Sequence, residues 1–555
     1  METKSDDGYL VIGGGVAGST CAIELSRLSS CSKVTLVSPS PTIKTLQDLE
    51  QITPLVGIVR VQDRSPDSFA AEHPDVVFLC DEVQSVDATR SQAKFASGRV
   101  FHFSRCCVAT GASPVLAHPH PRVFGIRDTE SVENLSKRLM DAKRVLIVGN
   151  GGIALELAHS IVSSQACQVV WAVRNSYIGN TFFDASASAF FLQNGNASAR
   201  SGSTARCEPG TSRTTFANGK NFAPTTLGSS VGPDWVKTFQ RAAADNNLTG
   251  SGQPLLDIQF DCELSDVCNG HVREDIGIDY RWPVSATLTN GVVVGCDFIV
   301  SATGVQPNTG VVDPEFDRGH DGGLCVDELM RVVGSFDSTT AEDKRADDNF
   351  GTLGGAVEKR GGGNNVFAAG DCCCLDWPKR ESDHWFQIRL WHQARAMGSY
   401  AAKCMTDSVD ELGSGGAFDL FVHATRFFGF KVTLLGRFNG QGLGSSIQDF
   451  VSGHVFEDGL NPSGVENGVA APPRCHHESI NIKNGSSNIQ VLIRTTPGME
   501  YIKVILTNGR LRGAMLIGDT GLEETFENLI LSGTDISHIG DDLLRRDVDV
   551  EGIFD

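Results

Sequence analysis

The sequence is poor in positive charge. Its 47 Lys and Arg face 67 Asp and Glu, a formal net charge of −20 at pH 7, so direct binding to a nucleic-acid backbone, which needs a basic surface, is not expected. It holds no uninterrupted apolar run near the ~18 residues that a bilayer-spanning helix requires, so no membrane segment is expected. No signal or basic transit peptide is expected either, because strand-like residues begin directly after the acidic Met1-Glu-Thr-Lys-Ser-Asp-Asp7. A disulfide framework is missing. The 16 cysteines are scattered over 555 residues, many inside apolar runs, which fits reduced thiols and a cytoplasmic and nuclear location. Metal-ligand spacing is missing too: Cys475-His-His477 stands in a low-complexity stretch without partner ligands at a recognisable distance, and no metal is expected.

What the chain does hold is glycine in two matching places. Tyr9-Leu-Val-Ile12 reads as a buried strand, Gly13-Gly14-Gly15-Val-Ala-Gly18 as a tight turn, and Ala17, Cys21, Leu25 and Leu28 as one face of the helix that follows. Gly13 allows the turn, Gly15 has no Cβ to block a phosphate, Gly18 lets helix and strand pack closely, and the helix N-terminus points at a pyrophosphate. One such turn is a weak signal, since glycine recurs in turns for steric reasons. This one recurs. Val145-Leu-Ile-Val-Gly149-Asn-Gly151-Gly152-Ile153-Ala-Leu-Glu156-Leu157 repeats strand, turn and amphipathic helix 149 − 13 = 136 positions on. Two dinucleotide sites in one chain imply one redox cofactor that stays and one that visits.

The strand after each turn carries a second matching slot. Val34-Thr-Leu-Val37 ends at Ser38, where many dinucleotide sites place an acid for the ribose hydroxyls; a serine there still hydrogen-bonds a ribose, less strongly. Val169-Val-Trp-Ala-Val173 ends at Arg174, and the offsets agree, 38 − 13 = 25 and 174 − 149 = 25. A guanidinium in that slot would receive a 2′-phosphate. Lys44 is a candidate neighbour of a flavin or pyrophosphate, against the plainer reading of a solvated lysine. Arg127 is a candidate phosphate partner, against a surface ion pair. Ala109-Thr110-Gly111 and Ala302-Thr303-Gly304 are two strand-to-turn elements of the same composition, and Val366-Phe-Ala-Ala-Gly370-Asp371 delivers Asp371 to a helix start. There it would accept hydrogen bonds from sugar or ribityl hydroxyls, or cap the helix, or both. Apolar spacing predicts that helix over 385–405.

Glycine turns, Ala-Thr-Gly turns and a final Ala-Ala-Gly-Asp in this order resemble the FAD-dependent pyridine nucleotide-disulfide oxidoreductase superfamily over about residues 1–405. Longer strings carry the resemblance to one branch of it nearly to the C-terminus: Ile126-Arg-Asp-Thr129, Ile178-Gly-Asn-Thr-Phe-Phe-Asp-Ala185, Gly232-Pro-Asp-Trp235, Cys296-Asp-Phe-Ile-Val-Ser-Ala-Thr-Gly-Val305 and Gly521-Leu-Glu-Glu-Thr-Phe-Glu-Asn-Leu-Ile530. The resemblance implies an α/β fold with two Rossmann-like dinucleotide-binding domains, the FAD domain interrupted by the NAD(P) domain, and a C-terminal α+β domain. The expected bounds are 1–125 and 309–410 for FAD, 126–308 for NAD(P) and 411–555 for the last domain. Insertions are expected at about 194–256, read as flexible, at about 335–364 and at about 439–488. By the same resemblance Gly13, Gly15, Gly18, Thr110, Gly111, Gly370 and Asp371 hold FAD, with Gly14, Ser38, Lys44, Ala109 and Arg127 beside them. Gly149, Gly151, Gly152, Ile153, Glu156, Arg174 and Gly304 face NADPH or NADH.

The expected activity is that of an FAD-dependent NAD(P)H oxidoreductase, and one departure shapes its mechanism. Disulfide reductases carry Cys-x4-Cys or Cys-x2-Cys beside the flavin, whereas residues 39–54 here hold no cysteine, and Cys167, Cys207, Cys262 and Cys268 show neither spacing. Cys106-Cys107 point to opposite faces of a strand and read as packing. Cys372-Cys-Cys374, after the flavin aspartate, are the remaining redox candidates. Beside direct electron transfer to an acceptor, the resemblance implies a protective role: association with the metal-dependent tRNA ligase complex, whose active site the NAD(P)H-bound flavoprotein shields from oxidation.

Overall fold

The computed structural model describes residues 8–29, 32–164, 167–195, 213–216, 256–270, 282–334, 365–375, 384–409, 418–443, 465–466, 469–470, 475–484, 487–546 and 548. Contacts divide the chain into two compact units. The first comprises Met1–Gln47, Val61–Ser113 and Gln306–Asp419, and the second Asp48–Arg60, Pro114–Val305 and Leu420–Asp555. The breaks after Ser113 and Val305 differ from the expected 125 and 308, and 420–555 groups with the second unit.

In the first unit, β1 (Gly8–Ile12), β2 (Val34–Ser38), Val76–Cys80, the second half of Val100–Val108 and Val366–Ala368 form a parallel sheet. The first half of Val100–Val108 turns away to continue an antiparallel meander with Gln92–Phe95 and Val83–Asp87. Parallel strands buried on both faces need apolar side chains on both, and every residue of β2 is buried. Helix α1 (Val16–Leu28) buries Ala17, Cys21 and Leu25. Leu28, expected on the same face, is 40% exposed because it falls in the last turn, where the helix has run past the sheet. Cys106 and Cys107 are both fully buried in the core.

The second unit repeats this plan. Its parallel sheet runs Val123–Gly125, Phe298–Ser301, β3 (Arg144–Val148), β4 (Gln168–Ala172) and Leu256–Gln259. A three-stranded antiparallel meander follows it, Leu264–Asn269, Val284–Leu288 and Val293–Cys296. Between β3 and β4 lies α2 (Gly152–Ser164), and α3 (Ala185–Gly195) follows β4. The same unit holds an antiparallel sheet in the order Val422–Phe427, Phe430–Gly436, Arg510–Ile517, Glu500–Thr507, Ser487–Thr496, His476–Asn484. Helix Glu523–Ser532 buries Phe526, Leu529 and Ile530 in the core shared with that sheet.

Two expectations are corrected here. The helix predicted over 385–405 begins only at Trp391. Leu390 is extended, and the Gln393 side chain takes the place of helical bonds, accepting from Ile388 N (2.9 Å) and donating to Phe386 O (2.9 Å). The stretch 439–488 is not a continuous insertion: Asn439 is buried, and His476–Asn484 is the edge strand of the last sheet. Within 194–256, Arg213–Phe216 pairs antiparallel with Leu256–Gln259. The rest of that stretch from 196 to 255, with the Gly232-Pro-Asp-Trp235 string and Cys207, lies outside the described residues, as does the whole of 335–364.

Candidate functional site: two glycine cradles built alike

Both glycine turns are made by the same contact. Gly13 has φ +118° and Gly149 φ +131°, a region closed to most L-residues. A Cβ on Gly13 would stand 2.2 Å from the Ala109 carbonyl oxygen, and one on Gly149 would stand 2.2 Å from that of Ala302. These are the alanines of the two Ala-Thr-Gly elements. Ala109 N donates to Ile12 O (2.8 Å) and Ala302 N to Val148 O (2.7 Å), while Gly13 N donates to Val37 O (2.8 Å) and Gly149 N to Ala172 O (3.1 Å). The glycine motif and the Ala-Thr-Gly motif are thus two halves of one device, present once in each unit.

In the first cradle Gly15 is the N-cap of α1, makes no side-chain cap and has nothing within 4 Å of the position a Cβ would take. Helix N-termini leave backbone N–H groups unpaired, and these favour an anion. No acidic residue lies in the first turn to compete for them. A pyrophosphate fits this opening. Ser38 lies at the end of β2 with Oγ turned onto Gly14. Lys44 is pinned to the turn through its backbone, its N donating to Gly14 O (2.8 Å) and its carbonyl accepting from Ser19 Oγ, while Nζ pairs with Asp63 at 3.0 Å. Gly370 packs on Ala17 of α1, which sets Asp371 beside the same helix end.

Asp371 does not start an α-helix. It sits in the first turn of the 3-10 segment Gly370–Cys372, whose N-cap is Ala369. Its carbonyl is held by Arg389 Nε (3.0 Å), whose guanidinium also reaches Asp321 at 2.6 Å. Burial pushes the Asp321 carboxyl up, but the Gly323 N–H and Arg389 outweigh it and hold it below the usual range. Neither anchor is marked by a motif. Asn308 is a further residue the motifs did not single out: it takes Thr110 Oγ1 on its carbonyl and donates from Nδ2 to Thr110 O (3.0 Å), and its N donates to Gly111 O (2.9 Å). Its position directly after the second Ala-Thr-Gly-Val-Gln-Pro run was the available signal.

The second cradle is similarly open: among the described residues only Thr181 Oγ1, at 3.6 Å, lies within 4 Å of a Cβ on Gly151, while Gly152 packs on the Phe182 ring. Asn150 is buried and braces the turn, donating from Nδ2 to Tyr177 O (2.8 Å) and accepting from Gly179 N (2.6 Å). Ile153 and the buried Glu156 follow on α2. Arg174 stands at the rim with a 71% exposed side chain, 3.6 Å from Glu263. Gly304 has φ +109° with open space around it, its carbonyl accepting from Val115 N (3.0 Å). Arg127, expected with the FAD residues, belongs to the second unit, where its N–H donates to Ser131 Oγ (3.0 Å) beside the Asp128 cap of helix Thr129–Leu139.

Every cysteine among the described residues is free. Cys372, Cys373 and Cys374 are buried. Burial pushes the Cys372 thiol up to about 11 and that of Cys373 well above its ordinary value. Cys372 donates to Val108 O (3.2 Å) and Cys373 to Gly370 O (3.1 Å). Among the described residues no group of three or more His, Cys, Asp or Glu is placed to hold a metal, and Cys475 meets only His477, at 3.3 Å between Sγ and Nε2, of its two histidine neighbours.

Known proteins carry the same pattern. The family described as pyridine nucleotide-disulphide oxidoreductase matches residues 8–197. Pyridine nucleotide-disulfide oxidoreductase domain-containing protein 1 of Rattus norvegicus is 35% identical over 99% of this chain and 98% of its own length. The protein of the same name from Dictyostelium discoideum is 32% identical over 98% and 99%. Among solved structures, the ferredoxin reductase of the CYP199A2 system from Rhodopseudomonas palustris shares the fold with a TM-score of 0.58, at 14% identity and 99% coverage of both chains. The two matched cradles and the full-length likeness agree, and the chain belongs to the pyridine nucleotide-disulfide oxidoreductases, in the branch of domain-containing protein 1.

Proposed function

We propose that the protein is an FAD-dependent oxidoreductase that takes hydride from NAD(P)H and passes the electrons on without an active-site disulfide. The cofactors of this family are FAD and NAD(P)H. When bound, FAD supplies the hydride acceptor and electron store, and the protein supplies position and exclusion of water. In this reading the FAD domain is formed by 1–125 and 309–410, interrupted by an NAD(P) domain, with an α+β domain at the C-terminus. The uncapped N-terminus of α1 and the glycines Gly13, Gly14, Gly15 and Gly18 take the pyrophosphate of FAD. Ser38 takes a ribose hydroxyl, and Asp371, fixed by Arg389, accepts from the ribityl chain. Ala109, Thr110 and Gly111 close the cradle from the other side, and the Lys44–Asp63 pair keeps an ammonium beside the turn. Gly149, Gly151, Gly152, Ile153, Glu156, Arg174 and Gly304 serve the nicotinamide dinucleotide.

The observation that carries the absence of a disulfide step is the state of Cys372–Cys374. Disulfide exchange requires an accessible thiolate. Cys372 and Cys373 are buried, bonded to backbone carbonyls and pushed up in pKa by burial, and residues 39–54 offer no cysteine.

A second output of the same chemistry is protection of the metal-dependent tRNA ligase complex, in the cytoplasm and nucleus, with slow turnover. It is supported by the family resemblance and by the net charge of −20, which suits contact with protein rather than with RNA. The test compares steady-state NAD(P)H oxidation with the survival of ligase activity in air, using purified protein and a variant that cannot bind nucleotide. The protein is expected to purify yellow with about one FAD per chain, as one such cradle predicts. Colourless, folded protein that takes up no added FAD would contradict the flavoprotein reading. Survival of the ligase without nucleotide would contradict the protective one.

A further inference from the structure

We infer that the buried Lys503–Asp184 pair is a positioning element that holds the wall of the second glycine cradle, so that the affinity for pyridine nucleotide depends on the sheet of residues 420–555. The inference rests on the reading of that cradle as the NAD(P)H site. Both side chains are fully buried, and Lys503 Nζ pairs with Asp184 Oδ2. Nζ also donates to Asn439 Oδ1 at 2.6 Å. Asp184 accepts in addition from Ala187 N (2.7 Å), at the start of α3, and from Tyr501 OH (3.4 Å). A buried charge costs several kcal/mol unless it is paired and its remaining valences are satisfied. Here Nζ donates to two oxygens and the Asp184 carboxylate accepts from three donors, all from this one cluster.

What the cluster holds is the segment just before it. Among the described residues Thr181 is the one neighbour of the open position at Gly151, and the Phe182 ring packs on Gly152. On its other side Phe182 is tied back to the cluster, since its carbonyl accepts from Asn439 Nδ2 (3.4 Å). The ring also stacks on His423 of the last sheet at 5.2 Å between centroids. Upstream, Gly179 is fixed by Asn150 of the turn itself. Residues 179–184 therefore bridge the glycine turn at one end and Lys503 at the other. Neither charged group is exposed, so neither touches a ligand, and both act through Thr181 and Phe182.

The test uses the full-length holoprotein and two variants. Lys503→Met removes one charge and leaves the carboxylate unpaired. The double variant Asp184→Asn with Lys503→Met removes both, keeps a residue suited to the start of α3 and avoids a stranded charge. The expected result for the double variant is normal FAD content and melting temperature, KM for NADPH raised about tenfold, and kcat within about twofold, the pattern of lost nucleotide binding. If Lys503→Met fails to fold, the double variant carries the test. A double variant with wild-type KM for NADPH overturns the inference, as does one that loses FAD and nucleotide together on melting. Wild-type protein that binds FAD but no NAD(P)H would overturn the reading of the cradle and this inference with it.

Discussion

In the proposed reading, Arg174 would carry the choice between NADPH and NADH. Its guanidinium is 71% exposed and meets Glu263 at 3.6 Å, and a pair so open to water is worth little, about 0–1 kcal/mol. A 2′-phosphate would displace Glu263 at small cost and gain charge-assisted hydrogen bonds. In Arg174→Ala we expect NADPH to lose about 1.5–3 kcal/mol of binding, roughly ten- to a hundred-fold, with NADH changed by less than about twofold. Equal losses for both nucleotides, measured by titration, would remove Arg174 from this role. Its place was readable because one strand follows another at a fixed offset. Lys503 was not readable in that way. In Tyr501-Ile-Lys-Val-Ile505 a lone lysine in an apolar run reads as the exposed position of a strand, and what buries it is Asp184, 319 positions away. The same holds for Arg389 and Asp321, since a long-range anchor leaves no local pattern.

At the scale of elements, the strand-turn-helix units were legible because their causes are local. Apolar runs fit strands covered on both faces, and the glycines stand where the backbone needs them. The coupling between each glycine turn and its Ala-Thr-Gly element was visible only as repetition, and the structure gives its cause in the Gly13–Ala109 and Gly149–Ala302 contacts. From this contact follows the outcome of Gly149→Ala. A methyl group 2.2 Å from a backbone oxygen, at φ +131°, forces the second cradle apart. If the first cradle holds FAD, as proposed, the variant should keep the flavin and lose NAD(P)H-driven flavin reduction by more than tenfold, a displacement of the order of 1 Å being enough. Unchanged reduction rates in stopped flow would show that the turn does not hold the nucleotide. Elements set by a side-chain bond in place of a backbone one, or lacking a buried face, leave a weaker local pattern. The helix start at Trp391 depends on Gln393, and the edge strand His476–Asn484 has few buried residues and so little apolar alternation to betray it.

At the scale of the whole molecule, the chain repeats one architecture twice, a parallel sheet followed by an antiparallel meander, with a glycine cradle in each unit. In the proposed reading one cradle serves the resident FAD and the other a visiting nucleotide, the arrangement of an NAD(P)H-dependent flavoprotein. A disulfide relay would add a thiolate and a second cysteine within the Cα separation of ~4.4–6.8 Å that a disulfide allows. The three cysteines beside Asp371 are buried. The central claim is that electrons leave the flavin directly, and it is tested by replacing Cys372, Cys373 and Cys374 together by Ser and following both half-reactions. Flavin bleaching by anaerobic NADPH and the subsequent reduction of a quinone-like dye should each stay within about three-fold of wild type, as expected when no exchange step is removed. A variant that binds FAD and is bleached normally by NADPH, yet fails to reduce the dye, would contradict the account by placing a cysteine on the path out of the flavin.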